Sequence, residues 1–344
     1  MSRRKKILVT GGSGFIAKHI VLQLLNEGFE VRASVRSMDR SAEIMAAMVL
    51  HAKNTDSLDT RLTFCELDLN SDAGWDDALQ NCQALMHTAS PFPMEQPEGE
   101  QVLIKPAVEG TLRALKAAQK AGVERIILTS SIVSIYNKRL AAGRNRYDET
   151  DWSETNSLMA TAYSKSKTQA EKAAWNYVRE HPELKLTSIC PSLVLGPPLD
   201  GKIGASLGVI ARLMNGKDPM VPNLGMALVD VRDIAQMHVR ALQRPESAGN
   251  RFIGSERFMW MRDIALVLKA EYPDRKIPLR VAPDWLMRIM GMFDKTIKGI
   301  LPTLGREIPL DNSAAAEILG IEFIEARQAI RTSASSLIRE NIVS

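Results

Sequence analysis

The chain has 344 residues, of which 45% are apolar and 24% are charged, a composition typical of a folded soluble protein and not of a disordered one. Its 44 lysines and arginines against 40 aspartates and glutamates leave a net charge of +4, too small and diffuse to indicate a nucleic-acid-binding protein. No stretch has the roughly 20 apolar residues of a membrane span and nothing resembles a signal peptide, so we expect a cytoplasmic protein with no membrane partner.

Short apolar runs alternate with segments of helical periodicity through the first half of the chain. Strands are predicted at 7–10, 31–35, 62–67, 84–88, 125–130 and 186–190. Helices are predicted at 17–26, 76–81, 108–121 and 160–180. Such alternation is typical of a parallel sheet with helices on both faces, so the sequence predicts an α/β protein with a doubly wound, Rossmann-type sheet.

The pattern changes after Pro191, where the segment PSLVLGPPLDG is rich in proline and glycine and isolated helices follow. Residues 228–242 predict a short strand and a helix capped by Asp230 or Asp233. The Met-rich segment 284–293 either lines a substrate cleft or packs in the core. We therefore predict a dinucleotide-binding domain and a smaller, mostly C-terminal substrate-binding domain. Their boundaries are 1–192 with 228–255, and 193–227 with 256–344.

The segment TGGSGFIA, residues 10–17, joins the first strand to the first helix. A nucleophile elbow at Ser13 would need G-x-S-x-G, and Phe15 stands where that turn requires a small residue. The alternative is a glycine loop with small residues at Gly11, Gly14 and Ala17, whose helix N-terminus attracts a pyrophosphate. This interpretation assigns four residues to a cofactor site: Gly11, Gly14, Phe15 and Ile16.

The end of the second strand predicts which nicotinamide cofactor binds. A carboxylate there would bind the ribose hydroxyl of NAD, whereas this strand ends in Val35 and Arg36. The guanidinium of Arg36 suits a 2′-phosphate, and Arg32 and Arg40 lie nearby in sequence, so NADP(H) is favoured over NAD(H). The alternative is an ordinary solvated arginine at a strand end.

Two further strand ends belong to the predicted cofactor site. Asp68 and Leu69 follow the third strand, where a carboxylate can meet the adenine amino group. After the fourth strand, the segment HTASPF offers small residues that let ribose and phosphates approach the backbone. These small residues are Thr88, Ala89 and Ser90.

Polar groups suited to catalysis occur on the helix that follows the fifth strand. Tyr163 and Lys167 are four residues apart and therefore share one helix face. The fifth strand ends in hydroxyl side chains at the carboxyl edge of the same sheet, within the segment ILTSSIVS. Three polar groups are thus expected to converge there.

Together these segments resemble the extended short-chain dehydrogenase/reductases, and among them dihydroflavonol 4-reductase, cinnamoyl-CoA reductase and NADPH-dependent aldehyde and ketone reductases. The matching segments are TGGSGFIA, VRASVR, HTASPF, ILTSSIVS, YDETDW, YSKSK with AEKAAW, CPSLVLGPPL and VDVRDIAQMHV. The resemblance implies that Ser131, Tyr163 and Lys167 are catalytic and that Arg36 binds the 2′-phosphate. The chain departs from the family at Glu43, near which the family has a lysine and this chain offers only Arg40.

The resemblance also implies the rest of the site. Tyr163, Lys167, Pro191 and Leu193 are expected to touch the cofactor as well, and Phe92 and Tyr136 to line the pocket of a small carbonyl substrate. We expect no metal, because Cys65, Cys82, Cys190 and the histidines show no metal-binding spacing. The protein is expected to be a monomer or a homodimer.

The expected chemistry is the NADPH-dependent reduction of an aldehyde or ketone, which runs in reverse as alcohol oxidation. A free tyrosine has a pKa of about 10, and an ammonium about 4 Å away contributes roughly 4 kcal/mol at an effective dielectric constant of 20. Lys167 is therefore expected to lower the pKa of Tyr163 toward neutrality. Tyr163 then donates a proton to the carbonyl oxygen that Ser131 holds, while NADPH provides hydride and Lys167 binds the nicotinamide ribose.

Three alternatives remain open. A nucleotide-sugar epimerase or dehydratase, or a 3β-hydroxysteroid-type dehydrogenase, has the same fold, although Arg36 and the pair Tyr136-Asn137 point away from sugars. A protein that only senses NADPH is the non-enzymatic alternative, which the presence of the Tyr-Lys pair argues against. Among reductases, a dihydroflavonol substrate is disfavoured, because Tyr136 occupies the place of the asparagine in the plant enzymes.

Overall fold

A parallel sheet forms the centre of the computed structural model, which describes residues 5–91, 99–157 and 159–343, without the side chains of 295 and 296. The strands are β1 (Lys6–Thr10), β2 (Glu30–Val35), β3 (Leu62–Glu66), β4 (Ala84–His87), β5 (Arg125–Thr129), β6 (Lys185–Pro191), β7 (Leu193–Leu195), β8 (Val221–Pro222), β9 (Gly225–Asp230), β10 (Arg251–Gly254), β11 (Arg257–Trp260) and β12 (Val281–Ala282).

Helices connect these strands and cover the sheet. They are α1 (Phe15–Asn26), α2 (Ser41–His51), α3 (Leu58–Arg61), α4 (Trp75–Leu79), α5 (Gln101–Lys120), α6 (Ala162–Glu180), α7 (Ala205–Asn215), α8 (Val231–Gln243), α9 (Met261–Glu271), α10 (Asp284–Met290), α11 (Lys295–Ile300), α12 (Ser313–Leu319) and α13 (Ala326–Arg339). Short 3₁₀ helices lie at Met38–Arg40, Ile132–Ser134, Pro245–Ser247 and Leu301–Thr303.

The main sheet has the strand order β10-β6-β5-β4-β1-β2-β3 in the described residues, and all of its neighbouring strands are parallel. Leu8 of β1 is in register with Arg32 on one side and Leu85 on the other. The strand order reverses between β1 and β4, and this is where parallel sheets of this kind bind ligands at their carboxyl ends. The predicted doubly wound, Rossmann-type fold is confirmed.

Both faces of the main sheet are buried, as a parallel sheet requires. Ile7 and Val9 belong to the core under α1 and α8, whereas Leu8 between them belongs to the opposite core under α5 and α6. Each such buried side chain contributes about 1.5–3 kcal/mol relative to an exposed one. The alternation of neighbouring residues between two cores fixes the register of β1 and so the position of the loop that follows it.

Most predicted elements of the first half lie within two residues of the observed ones. The exception is the helix predicted from 108, because α5 begins at Gln101 and contains Pro106. Pro106 is the sixth residue of α5 and cannot donate a hydrogen bond to the carbonyl one turn before it, yet the helix continues through it.

A second core packs beside the main sheet. Strand β9 pairs with β7 in parallel and with β11 in antiparallel orientation, and this small sheet packs with α7, α9 and α13. Helix α12 returns to the main sheet and packs against β10 and α8. The proposed boundaries between the two domains stay a prediction.

Two C-terminal details resolve alternatives left open by the sequence. Asp230, not Asp233, caps α8, because its carboxylate accepts the N–H of Arg232 at 2.9 Å. For the Met-rich segment 284–293, the core-packing alternative is wrong for most residues. Met287 is buried, but Trp285 and Phe293 are 63% and 86% exposed. The short α10 turns only one side toward the protein. Within the described ranges, no helix combines the length and apolarity that crossing a bilayer requires.

Candidate active site

The glycine loop between β1 and α1 has the backbone geometry of an anion-binding turn. Gly11 adopts a φ of +66°, and a Cβ atom there would lie 3.0 Å from the Cα of Ala89. At Gly12 a Cβ would lie 2.8 Å from the Cβ of Ala33. The N–H of Gly14 donates to the carbonyl of Gly11 at 2.8 Å and closes the turn. At Gly11 and Gly12, only glycine fits without displacing Ala89 or Ala33.

The N-terminus of α1 is open to a negatively charged group. Its N-cap is Gly14, no side chain caps it, and its first turn contains no acidic residue. The backbone N–H groups of Phe15 and Ile16 lie in this first turn, where a helix has no internal acceptors. The helix dipole and these donors suit a pyrophosphate, so the residues present fit a dinucleotide. The nucleophile-elbow alternative at Ser13 finds no support in this turn.

Thr10, which the sequence analysis did not single out, joins the loops after β1 and β4. Its hydroxyl accepts the N–H groups of Thr88 and Ala89, each at 3.1 Å, and its carbonyl accepts the hydroxyl of Thr88. Thr88 and Ala89 therefore lie against the end of β1 and the glycine loop, and contact of Thr88, Ala89 and Ser90 with a cofactor stays a prediction. A hydroxyl at the end of a central strand was the sequence signal that could have identified Thr10.

Arg36 lies at the end of β2 and is exposed. In the described part of the chain its guanidinium has no hydrogen-bond or ion-pair partner, as a group that receives a 2′-phosphate requires. Arg32 is different: its Nη1 donates to the carbonyls of Asp77 and Ala78 at 2.8 Å and thereby caps α4. The expectation that Arg32 supports the phosphate site is wrong, because its side chain is committed to that helix end.

The neighbouring charges around α2 form a second cluster. The carboxylate of Glu43 accepts a hydrogen bond from the guanidinium of Arg40 at 2.7 Å. It also forms an ion pair with Lys202, which comes from the loop after β7. Arg40 and Lys202 are thus both paired with the carboxylate of Glu43. Sequence reasoning found Arg40 but not Lys202, which is 159 residues away from Glu43 in the chain.

The third strand end holds Asp68 and Leu69. The register pairs Val35 with Glu66, so Arg36 and Asp68 follow neighbouring strand ends. The carboxylate of Asp68 accepts the N–H of Asn70 at 2.9 Å within its own turn, and Leu69 is buried. Contact of these two residues with adenine stays a prediction.

The predicted catalytic residues converge above the carboxyl ends of β5 and β6. Ser131 caps the 3₁₀ helix after β5, and its hydroxyl forms a hydrogen bond with the phenol of Tyr163 on α6. The same hydroxyl lies 3.5 Å from the carbonyl of Pro191. Lys167, one turn after Tyr163, donates from Nζ to the carbonyl of Thr129 at 3.4 Å. Ser131 and Tyr163 are therefore in contact, and Lys167 reaches the end of the strand that precedes Ser131.

The electrostatics of Tyr163 differ from the expectation. Burial raises the pKa of Tyr163 to about 12, and the hydrogen bond from Ser131 offsets only part of this. Burial also lowers the pKa of Lys167 to about 8, against the opposing charge of Glu171. The expected lowering by Lys167 is wrong for the protein alone, because the Coulomb estimate left out the desolvation of both groups.

Of the two residues predicted to line a substrate pocket, the structure describes Tyr136. Tyr136 follows the Ser131 turn, and its proximity is among the causes that raise the pKa of Tyr163. Arg306 lies over its ring at 5.6 Å and donates to its carbonyl at 2.6 Å and to the hydroxyl of Tyr147 at 2.8 Å. Phe92, the other predicted substrate residue, lies outside the described residues. Leu193, in β7, is partly buried.

One buried carboxylate at this site was not predicted. Glu171 follows Lys167 by one helical turn and accepts the hydroxyl of Ser130, next to Ser131, at 2.5 Å. Its spacing from Tyr163 and Lys167 on one face of α6 was visible in the sequence, but its partners were not. In the described ranges no group of three or more histidine, cysteine or acidic side chains is arranged to hold a metal ion.

Comparison with known proteins matches residues 7–253 to the NAD dependent epimerase/dehydratase family. NADPH-dependent methylglyoxal reductase GRE2 of Saccharomyces cerevisiae is 30% identical over 97% of this chain and 98% of its own length. Cinnamoyl-CoA reductase CAD2 of Medicago truncatula is 31% identical over 81% of this chain and 84% of its own. The crystal structure of yeast methylglyoxal/isovaleraldehyde reductase Gre2 complexed with NADPH is similar with a TM-score of 0.80 and 28% identity, over 98% of this chain and 100% of that one.

Proposed function

The chain belongs to the NAD dependent epimerase/dehydratase family and is an NADP-dependent oxidoreductase, and from this premise we propose that it reduces an aldehyde or ketone with Tyr163 as the proton donor. The observation that carries the proposal is the hydrogen bond between the phenol of Tyr163 and the hydroxyl of Ser131, with Lys167 one turn away. Relatives named as reductases of methylglyoxal and of cinnamoyl-CoA support carbonyl chemistry.

The cofactor end of the site supports NADP(H). The open N-terminus of α1 suits the pyrophosphate, and the unpaired guanidinium of Arg36 within the described chain suits the 2′-phosphate. Bound NADPH supplies the hydride. Lys167, whose ammonium lies at the carbonyl end of β5, is proposed to bind the nicotinamide ribose through the same Nζ that donates to Thr129.

The state of Tyr163 suits proton donation. Because its pKa is raised to about 12, the phenol carries its proton throughout the physiological pH range. The carbonyl oxygen becomes an alkoxide as it is reduced, and an alkoxide is a much stronger base than a phenolate, so the proton moves from Tyr163 Oη to that oxygen. Ser131 holds the oxygen by a hydrogen bond while charge develops on it.

The raised pKa also decides which direction of the reaction finds Tyr163 in the required protonation state. Alcohol oxidation needs a phenolate at Tyr163 to accept the proton. At pH 7 a phenol of pKa about 12 is ionised in only about one molecule in 10⁵. In the protein alone, Tyr163 is therefore in the protonated state that carbonyl reduction uses.

The substrate is proposed to be a small apolar or aromatic carbonyl compound. Tyr136 presents an aromatic ring close to Tyr163. The guanidinium of Arg306 donates hydrogen bonds to the carbonyls of Tyr136 and Lys138 and to the hydroxyl of Tyr147. Arg306 therefore connects these segments and does not serve to bind a carboxylate of the substrate.

A matched pair of variants tests the proposal. Tyr163→Phe removes the proposed proton donor, and we expect the rate of NADPH oxidation with a panel of aldehydes and ketones to fall about 10²- to 10⁴-fold. Tyr177→Phe, on the same helix but bonded to Gln119, is expected to leave the rate unchanged. NADPH affinity, measured by cofactor fluorescence, should be similar in both.

The proposal fails if Tyr163→Phe keeps the wild-type rate. A protein that binds NADPH but turns over no member of the panel would instead be a sensor. A purified protein that retains tightly bound NAD and converts nucleotide sugars would be an epimerase.

A further inference from the structure

A buried ion pair lies directly behind the proposed catalytic residues. Glu171 on α6 is 1% exposed and Arg251, the first residue of β10, is 8% exposed. Nε of Arg251 donates to Oε1 at 2.8 Å and Nη2 donates to Oε2 at 3.1 Å, so the pair is bidentate. Two charges are costly to bury, and such a pair is stable only when its remaining donors and acceptors are also satisfied.

The carboxylate of Glu171 fixes the turn that carries Ser131. Oε2 accepts the hydroxyl of Ser130 at 2.5 Å and that of Ser134 at 2.6 Å, one residue before and three residues after Ser131. The hydroxyl of Ser134 also lies 2.7 Å from the carbonyl of Ser131, which can accept it. Both ends of the turn are therefore held to α6 by one oxygen atom.

Arg251 anchors the same network to two more segments. Its Nη1 donates to the carbonyls of Glu149 and Asp151 at 2.8 and 2.7 Å. Its guanidinium stacks on the ring of Trp152 at 3.8 Å from the ring centre. The network thus joins α6, β10, the Ser131 turn and residues 149–152.

Glu171 and Lys167 are both buried on α6, one helical turn apart, and the negative charge of Glu171 raises the pKa of Lys167 against the effect of burial. The other groups facing the ammonium from the neighbouring strands are neutral, because burial lowers the pKa of His87 to about 3 and raises the pKa of the Cys190 thiol. Tyr163 on the same helix is a neutral phenol. Burial alone would raise the pKa of Glu171, but Arg251 and the hydroxyls of Ser130 and Ser134 together lower it, so Glu171 stays charged.

We propose that Glu171, held by Arg251, is a positioning residue of this enzyme: it fixes the Ser131 turn against α6 and keeps the ammonium of Lys167 charged. It touches neither substrate nor cofactor and acts through Ser131 and Lys167. Its kinetic consequences rest on the proposed function, whereas its effect on Lys167 does not.

The direct test is a titration of Lys167 in protein labelled with ¹³C at the lysine ε-carbon, the signal being assigned by its absence in Lys167→Met. Wild type is expected to titrate near pH 8. Glu171→Gln keeps the shape of the side chain but removes its negative charge, so it is expected to titrate at a lower pH. An unchanged midpoint overturns the electrostatic half of the proposal. Asp230→Asn is the matched control, because Asp230 is equally buried and paired with an arginine, Arg232, and is expected to leave the midpoint unchanged.

Kinetics test the geometric half. Glu171→Gln is expected to lower kcat about 10- to 100-fold, as loss of alignment does, with the dissociation constant of NADPH within about threefold of wild type. Ser134→Ala removes one hydrogen bond between the Ser131 turn and Glu171 and leaves the Arg251–Glu171 ion pair intact. It is expected to lower kcat less, and it provides the test if Glu171→Gln does not fold.

Wild-type kcat in Ser134→Ala, and in Glu171→Gln where it folds, contradicts the geometric half. If Tyr163→Phe retains turnover, the proposed function fails, and the Lys167 titration still decides the electrostatic part of the inference. The two failures are therefore distinguishable.

Discussion

Lys167 offers a quantitative test of the electrostatics of the site, through its replacement by methionine. Burial lowers the pKa of Lys167 from 10.5 to about 8. A difference of about 2.5 in pKa corresponds to about 3 kcal/mol, which is the cost of keeping the ammonium charged inside the folded protein at neutral pH. Methionine has a similar shape without the charge, so we expect Lys167→Met to raise the free energy of unfolding at pH 7 by up to about 3 kcal/mol.

The sign of the pH dependence follows from proton binding. Between pH 8 and pH 10.5 the unfolded chain holds a proton on Lys167 that the folded protein has released, so the stability contribution of Lys167 rises with pH through this window. The cost is fully present below pH 8 and gone above pH 10.5. The advantage of Lys167→Met should therefore shrink as the pH rises from 8 to 10.

Urea denaturation of wild type and Lys167→Met at pH 7 and pH 10 measures this difference. Lys165→Met, two residues earlier on α6 and paired with Glu100 at the surface, is the matched control and should change stability little at either pH. A Lys167→Met variant that is less stable than wild type at pH 7, or whose difference is the same at both pH values, would refute the reasoning.

Three more substitutions probe the cofactor end. Arg36→Ser should weaken NADPH binding about 10- to 100-fold and leave NADH binding unchanged. The ratio of kcat/KM for the two cofactors measures this effect. Arg32→Ala should lower thermal stability without changing that ratio. Gly11→Ala should destabilise the protein by about 1–3 kcal/mol, because a residue other than glycine is strained at a φ of +66° and its Cβ meets Ala89; thermal unfolding checks this, and a variant as stable as wild type with full NADPH affinity would show that the loop tolerates a side chain.

Much of the fold follows from local patterns in the sequence. Strands β1 to β6 are short, and all of them except the half-buried edge strand β3 are mostly buried, so their positions could be read from composition and periodicity alone. Helix α2 was not predicted. It buries Ile44 and Met48 but exposes Val49 and Leu50, so its apolar residues do not form a single stripe.

The candidate site was predictable where it depends on neighbouring residues and not where it depends on distant ones. Tyr163 and Lys167 share a helix face because of their spacing, and the loop glycines stand next to the strand they follow. The partners of Glu171 and Glu43 come from β10 and from the loop after β7. Their positions depend on the packing of the whole chain, which no local pattern encodes.

The pKa of Tyr163 was misjudged for a related reason. An isolated phenol beside an ammonium is acidified by the Coulomb interaction, whereas in the folded protein both groups are buried and desolvation favours their neutral forms. The depth of burial is a property of the tertiary structure, so the sequence could supply the pair of groups but not the direction of the shift.

The central claim is that the proton of Tyr163 moves to the substrate oxygen during carbonyl reduction. The most direct measurement is the rate of a single turnover, with enzyme loaded with NADPH and mixed rapidly with an aldehyde, in H₂O and in D₂O. The account predicts a slower turnover in D₂O for wild type and loss of this solvent isotope effect together with most of the rate in Tyr163→Phe. Equal rates in the two solvents, with Tyr163→Phe as fast as wild type, would contradict it.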